Sequence, residues 1–303
     1  MSNRSNNNRG ASGGRTFHKR ESTRKTPEPG TESFGEEHEG SEEQYLAGKN
    51  PVLEALKAGR PLNKIWLSSQ AQRHLVGPIL EEAKTRGVVV QHVDKRKLDQ
   101  LVPGVTHQGV VAQAAPTEYV EVDELLARAA ERGEMPLLVL LDEVEDPHNL
   151  GSVLRTVDCT GAHGVVVPKR RSASLTAVVA KTSAGAVEYV PVARVANLVQ
   201  TIEKLKEAGV WIAGADAAAE SDVFRSNLTG PLAVVIGSEG RGLSRLVREK
   251  CDFLISLPMF GRINSLNASV AAGVILYEAV RQRREQSLRA AASITDGDGH
   301  APA

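Results

Sequence analysis

The sequence predicts an α/β fold: a parallel sheet covered by helices on both faces, with a smaller α/β unit ahead of it. Three observations carry that prediction. From residue 136 onward, apolar runs alternate with stretches of helical periodicity, the pattern of a parallel sheet with crossover helices. The run Pro136-Leu-Leu-Val-Leu-Leu141 is apolar without interruption, as a strand buried on both faces must be. Aromatic residues are only 4% of the 303 positions while 41% are hydrophobic, so the core is aliphatic.

Order begins at Tyr45. Asn50–Lys57 reads as a short helix with Pro51 in its first turn, where a missing N–H costs nothing. Lys64–Leu67 reads as a strand. Gln72–Arg86 carries Leu75, Ile79, Leu80 and Ala83 on one helical face, and Gly87 ends it. Val88–Val93 is a strand, Lys95–Leu101 a short helix and Gly109–Gln113 a third strand. A connector, 116–135, holds one charged helix over Val122–Arg132. The second unit reads as strand 136–141, helix 150–161, strand 164–167, helix 173–182, strand 187–190, helix 195–208, strands 210–214 and 232–236, helix 243–250, strand 253–257 and helix 266–284. Beyond Arg284 the residues are small and polar, and a loose tail is expected over 285–303.

Composition excludes several classes. No stretch approaches the roughly 18 apolar residues of a membrane span. The first residues are polar, without the apolar core of a signal peptide, so a cytoplasmic protein is expected. Cys159 and Cys251 stand far apart with no CxxC partner, which speaks against a disulfide framework or a zinc module; both read as buried and inert. The net charge of +0 hides a split. Residues 1–25 carry seven Lys/Arg against Glu21 alone, and 26–44 carry seven Glu and no Lys/Arg. With so few apolar residues, 1–44 is expected to be disordered. The nearly neutral body argues against coating RNA by bulk charge, but not against a basic face.

In an open parallel sheet, ligands bind beyond the carboxyl ends of the strands. Three segments lie there: Asp142–Arg155, Ile236–Leu243 and Leu257–Asn267. Each follows an apolar strand, leads into a helix and holds small or polar residues. Singly, each has a plain explanation. Asn149 can cap the helix that follows, Ser265 or Asn267 can cap the last one, and Gly237, Gly240 and Gly242 can form a turn that lacks the Lys-Ser/Thr of a P-loop. A dinucleotide-binding dehydrogenase needs GxGxxG after its first strand, where this chain has Asp142-Glu-Val-Glu-Asp146.

Together the three segments are specific. DPHNLGSVLRT, VIGSEGRGL and LPMFGRINSLNASVAAGVILYEA resemble the three motifs of the SPOUT superfamily, in its SpoU/TrmH branch of RNA ribose 2′-O-methyltransferases. The first unit, through Tyr45–Leu56 and His107–Val111, resembles that family's L30e-like RNA-binding domain. The pairing is most similar to the bacterial enzymes that methylate a guanosine of 23S rRNA. The resemblance divides the chain into a tail (1–44), an L30e-like substrate-binding domain (45–117), a linker (118–135), a SPOUT domain (136–284) and a tail (285–303). It also implies a deep trefoil knot, which sequence physics would not propose. It implies S-adenosylmethionine as methyl donor, a homodimer with sites at the subunit interface, and no metal.

By the same resemblance, Gly237, Leu257 and Leu266 hold the donor through backbone groups, the two leucines around the adenine. For Gly237 a physical reason is that a Cβ would obstruct the ligand. Asn149, Arg155, Glu239, Ser265 and Asn267 match the polar catalytic set. The family assigns Arg155 to activation of the 2′-hydroxyl. Because a guanidinium loses its proton only at very high pH, the cheaper role is a charged Arg155 that binds the neighbouring phosphate and stabilises the developing alkoxide. Glu239 would orient Arg155 or Asn149, while Ser265 and Asn267 would bond the donor or orient the ribose. His148, His107, Lys49, Asn50 and Arg60 read as structural or surface residues before RNA contacts, and Arg170-Arg171 as a possible phosphate grip. The expected function is methylation of a 23S rRNA ribose. The alternatives are a tRNA ribose methyltransferase, a resistance enzyme acting on an rRNA adenosine, or a noncatalytic RNA-binding protein; the complete polar set speaks against the last.

Overall fold

The computed structural model describes residues 44–297. The expected disorder of 1–44 therefore lies outside the described residues except for Gln44, as do residues 298–303 of the expected tail.

The first unit is a four-stranded sheet in the order β1-β4-β2-β3, made of β1 (Gln44–Ala47), β2 (Leu62–Ser68), β3 (Val89–Val93) and β4 (Val110–Ala114). β2 runs parallel to β3 and antiparallel to β4. Helices α1 (Lys49–Ala58), α2 (Arg73–Thr85) and α3 (Lys95–Leu101) accompany it. β1 was not expected; four residues are too few to display a period, and its pairing with β4 makes it a strand.

After α4 (Val122–Glu131), the second sheet has six strands, β5 (Leu137–Asp142), β6 (Gly164–Pro168), β7 (Val192–Val195), β8 (Trp211–Ala215), β9 (Leu232–Gly237) and β10 (Phe253–Ile255). Their order is β10-β8-β9-β5-β6-β7, and each pairing is parallel. The helices are α5 (Pro147–Thr160), α6 (Ala177–Thr182), α7 (Leu198–Glu207), α8 (Arg245–Lys250) and α9 (Ala268–Gly297). β5 is central and wholly buried. Its side chains alternate: Leu137, Val139 and Leu141 enter the core shared with α5 and α9, while Leu138 and Leu140 enter the core shared with α4 and α7. The continuous apolar run is thus two half-cores on one strand.

Two expectations are corrected here. The strand read at 187–190 is a 3₁₀ turn at Ala186–Glu188, and the strand follows Pro191. Val187 and Val190 are both buried, but their spacing of three is that of a turn and not of a strand. The last helix does not stop at 284 but runs to Gly297. Its apolar period fades there, yet Arg281–Glu285 and Arg289–Glu285 form i,i+4 pairs ahead of a run of alanines, good helix formers that need no apolar stripe to continue a helix. Arg283 also fastens α9 to the start of the sheet through the carbonyls of Met135, Pro136 and Gly230.

The two sheets are joined by a buried ion pair. Arg60 Nη1 lies 2.7 Å from Glu188 Oε1, with both side chains almost fully covered. Its other N–H groups donate to Gln44 Oε1 and to the Ala115 carbonyl. Arg60 is therefore an internal strut, not the surface or RNA-contact residue that its sequence position suggested.

His163 anchors the start of β5. Its ring is 2% exposed; Nδ1 accepts from the Leu137 N–H at 3.0 Å and Nε2 faces Glu134 Oε2 at 3.0 Å. Burial is the main cause of a pKa below the ordinary 6.5. The folded form thus binds this proton less readily than the unfolded chain, and the stability held by neutral His163 is full above about 6.5 and falls below it. Urea unfolding at pH 7.5 and 5.5 is expected to show this loss, and His163→Asn to flatten it. An equal pH slope in the variant would refute the assignment.

Candidate active site

β5, β9 and the segment after β10 bring their carboxyl ends together. α5 begins on Asp146, whose Oδ1 accepts from the His148 N–H at 2.9 Å, with Pro147 in the first turn. Asp146, not Asn149, is therefore the cap. This frees the Asn149 side chain, which is buried and points at the loop after β9. Asn149 Nδ2 donates to Glu239 Oε1 at 2.9 Å, and Asn149 Oδ1 accepts from Asn267 Nδ2 at 2.8 Å. Asn267 Nδ2 also donates to Glu239 Oε1, at 2.5 Å. The opposite end of Asn267 caps α9, its Oδ1 accepting from the N–H groups of Ser269 and Val270. One carboxylate thus receives two amide donors at the N-termini of two helices, where negative charge is favoured.

Beside this network is a cavity of about 580 Å³, within the size range of small-molecule sites. Gly237, Glu239, Leu257, Ser265 and Leu266 all line it, with Ile236, Met259 and Ile275 adding apolar wall. The loop closing it is pinned by paired bonds between the backbones of Ser238 and Gly242 and by Asp142 Oδ2, which accepts from the Ser244 N–H at 2.6 Å. Gly240 and Gly242 have φ of +80° and +67°, a region that favours glycine.

Gly237 is required for a reason besides the one expected. A Cβ there would lie 2.2 Å from the Gly242 carbonyl carbon and 2.5 Å from the Leu243 nitrogen, so the protein's own loop forbids it before any ligand does. Gly237→Ala is accordingly expected to lower stability by about 1–3 kcal/mol as well as to weaken donor binding. Thermal melts and calorimetry check both, and an unchanged melting temperature would restore the ligand-contact explanation.

Arg155 stands apart. It is exposed on α5, six residues past Asn149 and so on another face of the helix, with no hydrogen-bond or ion-pair partner among the described residues. His148 is exposed as well. His107 is buried: Nε2 faces Asp99 at 3.0 Å and Nδ1 accepts from the Gly109 N–H, so its ring is committed to packing. Cys159, read as buried, is exposed because it lies on the solvent side of α5; Cys251 is half-buried, and burial pushes its thiol up to about 12.

Sequence reasoning missed Asp142, Ser238 and Asp216. An acid ending an otherwise apolar strand was the available signal for Asp142. Ser238 lines the cavity, and its buried hydroxyl lacks a partner among the described residues. Asp216, also in the wall, is held below the usual carboxylate range mainly by its bond from Arg248, at 2.6 Å.

Comparison with known proteins shows the family. The profile of the SpoU rRNA methylase family matches residues 136–277, and that of the RNA 2′-O ribose methyltransferase substrate-binding domain matches 45–120. YacO of Bacillus subtilis, assigned to the TrmH family of tRNA/rRNA methyltransferases, is 54% identical over 239 residues, covering 79% of this chain and 96% of YacO. The chain belongs to the SpoU/TrmH family of RNA methyltransferases. As a member of the SpoU/TrmH family it is an enzyme that uses S-adenosylmethionine. The SpoU methyltransferase AviRb of Streptomyces viridochromogenes, solved with that donor, superposes with a TM-score of 0.67 at 29% identity, covering 80% of this chain and 91% of AviRb. A donor-bound rRNA methyltransferase of Sinorhizobium meliloti gives 0.64 at 25% identity, over 79% and 87% of the two chains.

The cavity fits the SpoU/TrmH methyl donor. Apolar side chains from three segments suit an adenine face, and the unpartnered Ser238 hydroxyl suits a polar ligand atom. Among the described residues no group of His, Cys, Asp and Glu could hold a metal ion, and no helix is long and apolar enough to cross a membrane.

Proposed function

We propose that this enzyme methylates a ribose 2′-hydroxyl of 23S rRNA, at a guanosine, as a cytoplasmic homodimer. The observation that carries the reading is the Asn149–Glu239–Asn267 network at the lip of a nucleoside-sized cavity. The substrate-binding match over 45–120 supports a ribose 2′-oxygen as acceptor, and the Sinorhizobium neighbour supports rRNA.

When bound, S-adenosylmethionine supplies a methyl group already activated by its sulfonium. What this chain adds is alignment, since displacement at carbon needs acceptor, methyl and leaving sulfur in line. On this reading Leu257 and Leu266 flank the adenine, backbone groups near Gly237 hold the donor, and Ser265 and the Asn149–Glu239–Asn267 network fix the acceptor ribose. Arg155, permanently charged, grips the neighbouring phosphate and stabilises the alkoxide that forms as the hydroxyl proton leaves to phosphate or water.

The position of Arg155 supports a dimer. It is exposed and makes no bond to the network on its own chain, which is what an arginine supplied to the site of a second copy would show. A surface for that copy is present: Val270, Val274 and Tyr277 form an exposed stripe on α9, beside the α5 face that carries Thr156 and Arg155. The reading includes the trefoil knot. After edge strand β10 the chain returns across the sheet, so Asn267 reaches Asn149 and Glu239, and α9 lies on α5.

The test is transfer of labelled methyl from S-adenosylmethionine to total RNA of a strain lacking this gene, followed by alkaline hydrolysis. A methylated 2′-oxygen blocks cleavage at the adjacent phosphodiester. A resistant guanosine-containing dinucleotide from 23S rRNA is expected; label in tRNA would overturn the substrate, and label at a base would overturn the acceptor atom.

A further inference from the structure

Among the described residues, four that are not glycine have a left-handed backbone, and two of them form one ion pair. Glu143 (φ +57°) follows β5 and Arg171 (φ +54°) follows β6, with Arg171 Nη1 2.7 Å from Glu143 Oε1. The second carboxylate oxygen is 3.3 Å from Arg241 Nη2, in the loop that walls the donor cavity. The Glu143 side chain is 21% exposed, but the side chains of Arg171 and Arg241 are 68% and 67% exposed. An exposed ion pair contributes little to stability, less than left-handed backbone costs at two residues with full side chains. Stability therefore does not account for the arrangement.

Charge does. Two guanidiniums and one carboxylate leave a single positive charge, which one phosphodiester neutralises. The guanidinium fork suits phosphate oxygens bidentately. Glu145 lies near enough to act on Arg171, but Lys169 and Arg170, exposed beside it and without side-chain partners among the described residues, add two cations. Asp142, the neighbour of Glu143, holds the far end of the same loop through Ser244. The strained pair is thus tied to the loop at Arg241 and, through the neighbour of Glu143, at Ser244.

We infer that Glu143, Arg171 and Arg241 form a seat for one phosphodiester of the RNA substrate at the mouth of the donor cavity, with Glu143 as the positioning residue that holds the two guanidiniums together. The inference rests on the proposed RNA 2′-oxygen reading, and wild-type methyl transfer to RNA tests that reading separately. Shape-preserving Glu143→Gln and Arg171→Ala are compared with wild type in steady-state transfer to RNA over a range of salt, with donor affinity measured by calorimetry. Arg171→Ala is expected to raise KM for RNA by roughly tenfold and to reduce the salt slope by about one. Glu143→Gln should raise KM with kcat less affected, Glu143→Asp should restore part of it, and Glu143→Gln should add little in an Arg171→Ala background. Donor affinity should be unchanged in all of them. Unchanged KM and salt slope in Arg171→Ala, or tighter RNA binding in Glu143→Gln, would overturn the inference. Should Arg171→Ala fold poorly, Arg171→Lys keeps the charge and loses the fork; a KM equal to wild type there would likewise overturn it.

Discussion

Arg155→Ala is expected to lower methyl transfer by roughly 10²–10³-fold, the usual cost of removing one group that stabilises charge in the transition state. Calorimetry should find donor binding nearly intact, since Arg155 does not line the cavity. The sharper result concerns mixed subunits. If each site combines the cavity and network of one copy with Arg155 of the other, an Arg155→Ala subunit paired with a network-dead Asn267→Ala subunit contains one complete site. Two inactive preparations, exchanged and mixed equally, should then regain roughly a quarter of wild-type activity, since random pairing of a twofold dimer gives half mixed dimers. No recovery, with subunit exchange verified, would mean that Arg155 serves its own chain or does not act.

Arg60→Ala is expected to have the largest effect on folding. It strips a buried carboxylate of its cation, which typically costs about 3–5 kcal/mol, a large part of a total stability of about 5–15 kcal/mol. Burial already pushes Glu188 above its ordinary 4.5 despite the Arg60 charge. A carboxyl whose folded pKa is raised stabilises most when protonated, below its unfolded value, and loses that contribution as pH rises. The stability gap between wild type and Arg60→Ala, measured by urea unfolding, should therefore narrow on acidification toward pH 4.5. Replacing both partners by apolar residues should recover much of the loss. A gap that does not vary with pH would refute the buried-charge account.

The parts of this fold that could be read in the sequence are those where one physical demand acts on consecutive residues. β5 was legible because burial on both faces leaves no polar position, and the three loop segments because they interrupt such runs with small and polar residues. β7 was misplaced because Val187 and Val190 satisfy burial without being extended. The last helix was cut short because its distal turns rest on ion pairs instead of an apolar stripe. The site shows the same division. The residue types of Asn149, Glu239 and Asn267 stood out, but their mutual bonding spans 118 residues of sequence between Asn149 and Asn267, which no local pattern encodes. Nor does any local pattern reveal that Arg60 is covered by another sheet, that Gly237 is hemmed in by Gly242, or that Glu143 and Arg171 share a strained turn geometry.

Asn267 is both the cap of α9 and a member of the Glu239 network, and this sets when during synthesis the enzyme can come alive. Ribosomes add about 5–20 residues per second and domains fold as they emerge. A chain interrupted after β10 already carries all six strands of the second sheet, yet lacks Leu257, Ser265, Leu266 and Asn267. Its cavity has no far wall and the Glu239 carboxylate has only one of its two amide donors. On the proposed reading, methyl transfer is thus confined to chains that extend past Asn267. On the same reading, premature termination or carboxyl-terminal trimming back to the sheet would yield silent fragments, not unregulated catalysts that mark RNA at random.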